Sequence, residues 1–394
     1  MKISLPPPDA DQQAHSARLA DVLRGEIRSH GPIRFSRWME RCLYAPGLGY
    51  YSAGSTKFGA TGDFITAPEL GPLFAQCVAK SVLPVFAALD GRRCFLELGA
   101  GSGAFAEAAL AEFALCHSLP DGYAILEPSA DLRERQRERL RDALPHDLFT
   151  IVTWLDRPPE KNWQGVLFAN EVIDALPVTR FAISDGVVLE EHVALDGEEF
   201  VIVDVAASES LVNSVRAVEE SLGRHFSNGY RSEIAMQLPA WMTSVTETLE
   251  RGVALFVDYG HTRNDYYAVE RSSGTVQCYY QHRVHDDALT LPGLQDITAS
   301  VDFSAVADAA VEAGLNVLGY ANQAQFLLGN GLATLHQRHA QDADAHELYE
   351  LSRQIKRLTL PDQMGDRFQA LLFGRGVDAA ALPAWSDIDR SSRL

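Results

Sequence analysis

Apolar positions recur at helical spacing over residues 14–30, where Leu19, Val22, Leu23 and Ile27 share one face, and again over 35–44. A Gly/Pro/Tyr-rich loop fills 45–62. A long helix is expected over 68–89, with Pro68 in its first turn and Pro84 at a bend. From Arg92 the pattern changes: short, nearly continuous apolar runs at 94–98, 123–126, 149–152 and 165–169 alternate with helical stretches that run to about 116 and over 129–144. Strands without a polar face, separated by helices, belong to a parallel sheet covered on both sides, and so to a doubly wound α/β core. Alternation takes over between 181 and 205, with turn signals at Asp185-Gly186 and Asp196-Gly197, which predicts an antiparallel hairpin or meander interrupting that core. A helical stretch over 208–251 follows, then a core strand at 253–257 and two further candidates at 315–318 and 370–373.

The strand 94–98 runs straight into Gly99-Ala100-Gly101-Ser102-Gly103 and then into a helix from about Ala104. Glycine reaches backbone angles that other residues avoid and lets a ligand lie against the chain, while the helix N-terminus offers unpaired amides. Gly99, Ala100, Gly101 and Gly103 are therefore candidate cofactor contacts. The spacing Gly99-x-Gly101-x-x-Ala104 also fits the dinucleotide fingerprint, so a nicotinamide-dependent oxidoreductase stays open at this point. Glu127, at the end of the second strand, stands where a ribose acceptor belongs. Glu97, on an otherwise apolar strand, must find a partner, and the ammonium of an amino-acid-like cofactor would serve. The fourth strand ends in Asn170-Glu171, with Asp174 shortly after, so these three are candidates for the reaction centre; Asn170 could instead cap a following helix. Asp258 and Tyr259 end the fifth strand and are candidate substrate contacts. The loop 61–69, with Gly62, Thr66 and Pro68, suits closure over a bound ligand, although Asp63 and Thr66 could equally cap a helix. His282 and His285 read as a polar substrate-facing loop rather than a metal site, since no third ligand stands at regular spacing.

Acidic residues number 53 against 34 Lys plus Arg, a formal charge of −19 that would repel nucleic acid and anionic lipid. The five cysteines form no Cys-x-x-Cys pair, and no apolar run is long enough to span a bilayer. A reducing, cytoplasmic setting is the expectation from these features, with no nucleic acid and no membrane insertion. A homodimer is admitted but not required.

Four segments together resemble one family: Gly62-Asp63-Phe64-Ile65-Thr66-Ala67-Pro68-Glu69, Glu97-Leu98-Gly99-Ala100-Gly101-Ser102-Gly103, Asn170-Glu171-Val172-Ile173-Asp174-Ala175-Leu176-Pro177 and Val257-Asp258-Tyr259-Gly260. It is the S-adenosylmethionine-dependent methyltransferase family of the MidA type, and the likeness continues through Asp296-Ile297-Thr298-Ala299-Ser300-Val301-Asp302-Phe303. Ala67 and Ser300 stand where family members often carry Ser and His. The resemblance implies a class I, Rossmann-like methyltransferase: a seven-stranded, mostly parallel doubly wound sheet with N-terminal helices and an α+β insertion. It implies S-adenosyl-L-methionine as cofactor, lying over Gly99, Gly101 and Gly103 with Glu127 on its ribose. It also implies an arginine-containing protein segment as substrate, with a respiratory complex I subunit as candidate. For an arginine acceptor, the place of Glu171 at a strand end suits it, with Asp174 as a second carboxylate, to orient the guanidinium by forked hydrogen bonds. A non-catalytic S-adenosylmethionine-binding assembly factor is the other alternative. The expected division is 1–90 for N-terminal helices and lid loop, 91–180 for the first part of the core, 181–251 for the insertion and 252–394 for the rest of the core.

Overall fold

Cys-Phe-Leu-Glu-Leu has no polar face to offer water apart from Glu97, and a strand of that kind must lie inside a sheet. In the computed structural model, which describes residues 5–52 and 65–394, Phe95, Leu96 and Leu98 of this strand are each at most 3% exposed. The strand, β1 (Cys94–Leu98), lies between β2 (Gly122–Leu126) and β4 (Trp163–Asn170); β3 (Val152–Leu155) flanks β2, and β5 (Leu249–His261) flanks β4. All five run parallel. Beyond β5 come β6 (Asn316–Asn322) and β7 (Phe368–Arg375), in the order β3-β2-β1-β4-β5-β7-β6, with β7 antiparallel to both its neighbours. The dinucleotide-binding order 3-2-1-4-5-6 has no such inserted strand. Val301–Asp302 adds a short parallel pairing at the end of β5.

Helices cover the sheet: α1 (Leu73–Ala88), α2 (Ala104–Leu115) and α3 (Ala130–Ala143). Aromatic packing sets the position of α2, since Phe105 in its first turn stacks on Phe168 of β4 at 4.2 Å and lies 6.1 Å from Phe95 of β1. The helix start is thereby held directly beyond the end of β1.

The chain divides into two compact units. The core unit comprises 65–172, 239–261 and 301–394 and holds the sheet just described. The meander unit comprises the described part of 1–64 with 173–238 and 262–300. It contains the helices Ala10–His30 and Phe35–Tyr44, a five-stranded antiparallel sheet built around Thr179–Ser184, Val187–Asp196 and Glu199–Ala206, and a three-stranded sheet of Gln277–Tyr280, Arg283–His285 and Asp296–Thr298. These units cut the chain differently from the four-part division expected above: 65–90 joins the core unit, whereas 262–300 joins the meander.

Three elements differ from expectation for identifiable reasons. The helix expected over 68–89 is two pieces, a 3-10 turn Ala67–Leu70 and then α1, because Gly71 (φ 140°) and Pro72 interrupt the run. The strand expected at 149–152 is instead the end of a short helix, His146–Phe149, and the strand begins at Val152. So short an apolar run fits either state. The helical stretch expected over 208–251 is broken: Glu209–Leu222 stops at Gly223 in the left-handed region, and a strand, Arg231–Ile234, precedes the helix Leu238–Thr246.

Candidate active site

The glycine turn alternates in conformation, with Gly99 at φ 61°, Gly101 at 54° and Gly103 at 85°. The left-handed backbone angle favours glycine at 99, and a Cβ there would meet Val172 Cγ2 at 3.1 Å, so that methyl would have to shift by a few tenths of an ångström. Gly99 N–H donates to Leu126 O at 3.0 Å, tying the turn to the end of β2. Ser102 Oγ donates to Glu69 and accepts from Arg139 Nη1 at 3.0 Å, which links the turn both to the segment around Pro68 and to α3. Thr66 precedes the 3-10 turn that holds Pro68, but its side chain makes no capping hydrogen bond. Gly62 and Asp63 lie outside the described residues.

Glu127 is 5% exposed at the end of β2. Its Oε1 accepts the Ser129 amide at 2.9 Å and its Oε2 accepts Gln136 Nε2 at 3.4 Å. The same Gln136 nitrogen donates to Gly101 O at 3.0 Å, and its Oε1 accepts Trp154 Nε1 at 3.0 Å. One fully buried amide therefore spans the glycine turn and Glu127, and this residue was missed from sequence. The signal was available: Gln136 sits among Leu132 and Leu140 on the buried stripe of α3, where a polar side chain needs partners. Replacing Gln136 with Leu leaves the Trp154 N–H and the Gly101 carbonyl without this partner, at a cost of about 1–3 kcal/mol each. The expected outcome is a melting temperature lowered by several degrees, read from thermal denaturation of the variant beside the parent.

Glu97 is 3% exposed, and its Oε2 accepts the buried Tyr123 hydroxyl at 2.6 Å. Burial pushes its carboxyl up to about 8; the Tyr123 hydrogen bond opposes this, and the charge of Glu127 adds to it. Burial, and then the neighbouring Glu97 charge, carry the Tyr123 phenol well above its ordinary range.

At the end of β4 the chain enters a strained turn. Glu171 adopts φ 53°, a left-handed angle that a glutamate rarely takes and that costs on the order of 1–3 kcal/mol. Three hydrogen bonds hold it there: Glu171 N–H to Val257 O at 2.9 Å, Val172 N–H to Asp258 Oδ2 at 3.2 Å, and Asn170 Nδ2 to Glu171 Oε1 at 3.0 Å. Asn170 Oδ1 is buried and has no hydrogen-bond partner among the described residues. No helix follows directly for Asn170 to cap. Asp258 is 1% exposed and accepts backbone amides with both oxygens, the second from Tyr259 at 2.9 Å, so it supports the Glu171 turn. The Tyr259 ring packs on Phe368 at 5.5 Å.

The core unit thus brings together Glu97, the glycine turn, Glu127, Asn170 and Glu171 as groups linked through one sheet. Asp174, His282 and His285 belong to the meander unit. Asp174 is buried, with its carbonyl accepting the Ala299 amide at 2.9 Å. His282 (φ 59°) is exposed in a tight hairpin turn, whereas His285 is buried on the following strand, where burial lowers its pKa. No group of three or more potential metal ligands gathers among the described residues, and no described helix is long and apolar enough to cross a membrane.

A family profile described as an S-adenosyl-L-methionine-dependent methyltransferase matches residues 77–321. A superfamily member from Burkholderia thailandensis, solved with S-adenosyl-homocysteine bound, is 41% identical, with 99% of this chain and 100% of that one covered at a TM-score of 0.93. Among curated proteins, the mitochondrial protein arginine methyltransferase NDUFAF7 homolog of Drosophila melanogaster is 31% identical, covering 95% of this chain and 89% of its own length. The NDUFAF7 protein of Danio rerio is 28% identical, covering 88% and 84%. These relatives are named as mitochondrial, which overturns the cytoplasmic expectation. The cofactor is S-adenosyl-L-methionine, which displaces the nicotinamide alternative, and the protein is an enzyme rather than a non-catalytic binder. With more than half its length matched by the profile and a curated relative above 30% identity across nearly all of it, the chain belongs to the MidA-type family of S-adenosylmethionine-dependent methyltransferases.

Proposed function

We propose that the enzyme transfers a methyl group to an arginine side chain of a protein, with Glu171 as the residue that orients the guanidinium. The left-handed turn at Glu171 carries this reading, because backbone strain of that kind persists where function requires a side chain in one place. The names of the curated relatives, protein arginine methyltransferases, support the acceptor class.

Bound S-adenosylmethionine supplies an electrophilic methyl group on a sulfonium, with a neutral thioether as leaving group. The chain's own part is to bind and aim. Glu127 takes the ribose hydroxyls, the backbone of Gly99, Ala100, Gly101 and Gly103 lies against the cofactor, and Glu97 meets its ammonium. Thr66 and Pro68 contribute from the segment that Glu69 ties to the glycine turn. The orphaned Asn170 Oδ1 fits a ligand N–H, since a buried acceptor without a partner is costly. A guanidinium stays charged at neutral pH, so a carboxylate such as Glu171 holds it through forked hydrogen bonds and leaves one nitrogen facing the methyl group; as the N–C bond forms and the C–S bond breaks, the guanidinium gives up one N–H proton to the Glu171 carboxylate, which passes it to solvent. Tyr259, half-buried at the end of β5, is assigned to the acceptor protein, whereas the buried Asp258 acts only by holding the Glu171 turn. Positioning of this kind supplies most of the rate.

The test is transfer from methyl-labelled cofactor to arginine-containing peptides, with the modified residue located by mass spectrometry. A complex I subunit is the first acceptor to assay. Label on arginine is expected, and label confined to other residue types would end the arginine reading.

A further inference from the structure

We infer that Tyr123 is a positioning residue for the cofactor's amino group: its buried phenol engages Glu97 Oε2 and leaves Oε1 to meet the ammonium. The inference rests on the reading that Glu97 holds that group. Tyr123 is fully buried and its ring stacks on Phe95 at 5.0 Å with 14° between planes, so the phenol has one orientation. Its hydroxyl donates to Glu97 Oε2 at 2.6 Å, a short bond that becomes charge-assisted once an ammonium ionises the carboxyl. Glu97 Oε1 accepts no hydrogen bond among the described residues, so the carboxyl is satisfied on one side only.

That asymmetry is what an ammonium site needs. A carboxyl that found donors for both oxygens inside the protein would have nothing left for a ligand, and one that found none would stay protonated in a buried strand. The phenol favours the charged form with a single donor, against burial and against Glu127, the other charged group acting on Glu97. Tyr123 and Glu97 stand on adjacent parallel strands, where Phe95 pairs with Tyr123 and Glu97 with Ile125, so the contact is set by sheet register rather than by a loop. Tyr123 touches no cofactor atom in this account; it acts through Glu97.

Two ligands separate positioning from plain packing. S-adenosylhomocysteine carries the amino-acid arm, whereas 5′-methylthioadenosine carries the same adenosine and thioether without it. Calorimetric titrations at pH 7 of the full chain, of Tyr123→Phe and of Glu97→Gln would use both. Tyr123→Phe is expected to weaken S-adenosylhomocysteine about tenfold while 5′-methylthioadenosine stays within about twofold, the scale of one lost charge-assisted hydrogen bond. Equal weakening of both ligands would mean a merely structural role and would overturn the inference. So would unchanged S-adenosylhomocysteine binding in Tyr123→Phe beside a weakened Glu97→Gln. Unchanged binding in Glu97→Gln would instead remove the ammonium reading, and the inference with it.

Discussion

Glu171→Gln is expected to lower kcat for arginine methylation by about 100-fold or more, with S-adenosylhomocysteine affinity within about twofold of the parent. The neutral amide keeps the shape and one acceptor oxygen but loses the charge that makes a forked contact to guanidinium strong. Steady-state kinetics with an arginine peptide and calorimetry with S-adenosylhomocysteine would measure the two quantities. A paired variant sharpens the result. Glu171→Gly relieves the φ 53° strain, so it should match or exceed the parent in thermal stability while losing activity as severely. Activity retained in both variants would take Glu171 out of the reaction.

Glu97→Gln is expected to stabilise the ligand-free protein while weakening its hold on the cofactor. The folded carboxyl titrates near 8 against an ordinary value of 4.5, so between those two values the native state binds more protons than the unfolded chain. Stability therefore falls as pH rises through that window. At pH 5 the variant and the parent should melt at nearly the same temperature. By pH 8 the variant should be the more stable, on the order of 3 kcal/mol for a displacement of this size. Its S-adenosylhomocysteine affinity should nonetheless drop tenfold or more, since a neutral amide meets an ammonium less well than a carboxylate does. Melting curves across that pH range, with and without ligand, report both effects. A variant that melts below the parent at pH 8 would contradict the account of a buried acid held for the ligand's sake.

The strand Cys94–Leu98 and the turn after it were legible because everything that defines them is local: an apolar run, then glycines, then a helix start. The helix Phe35–Tyr44 was legible for the same reason. The runs at 315–318 and 370–373 were visible, but not that the later strand enters the sheet between β5 and β6 in the opposite sense. Pairing between distant segments leaves no mark in local periodicity. Within the site, Glu97, Glu127, Asn170 and Glu171 could be proposed from their places at strand ends. Gln136 and Tyr123 could not be assigned roles, because each matters only through a partner on another element. The backbone angle of Glu171 was also hidden, as a glutamate in the left-handed region has no signature in composition.

The interior place of β7 bears on how the protein is made. Residues 368–375 emerge from the ribosome well after β5 and β6, yet until they arrive both of those strands present unpaired edges on the side they will occupy. The glycine-turn half of the sheet can assemble during synthesis, whereas the other half waits until residues 368–375 have been made. A message truncated shortly before codon 368 would thus yield a product prone to aggregate rather than a weakened enzyme, and chaperone demand should be greatest in that late interval.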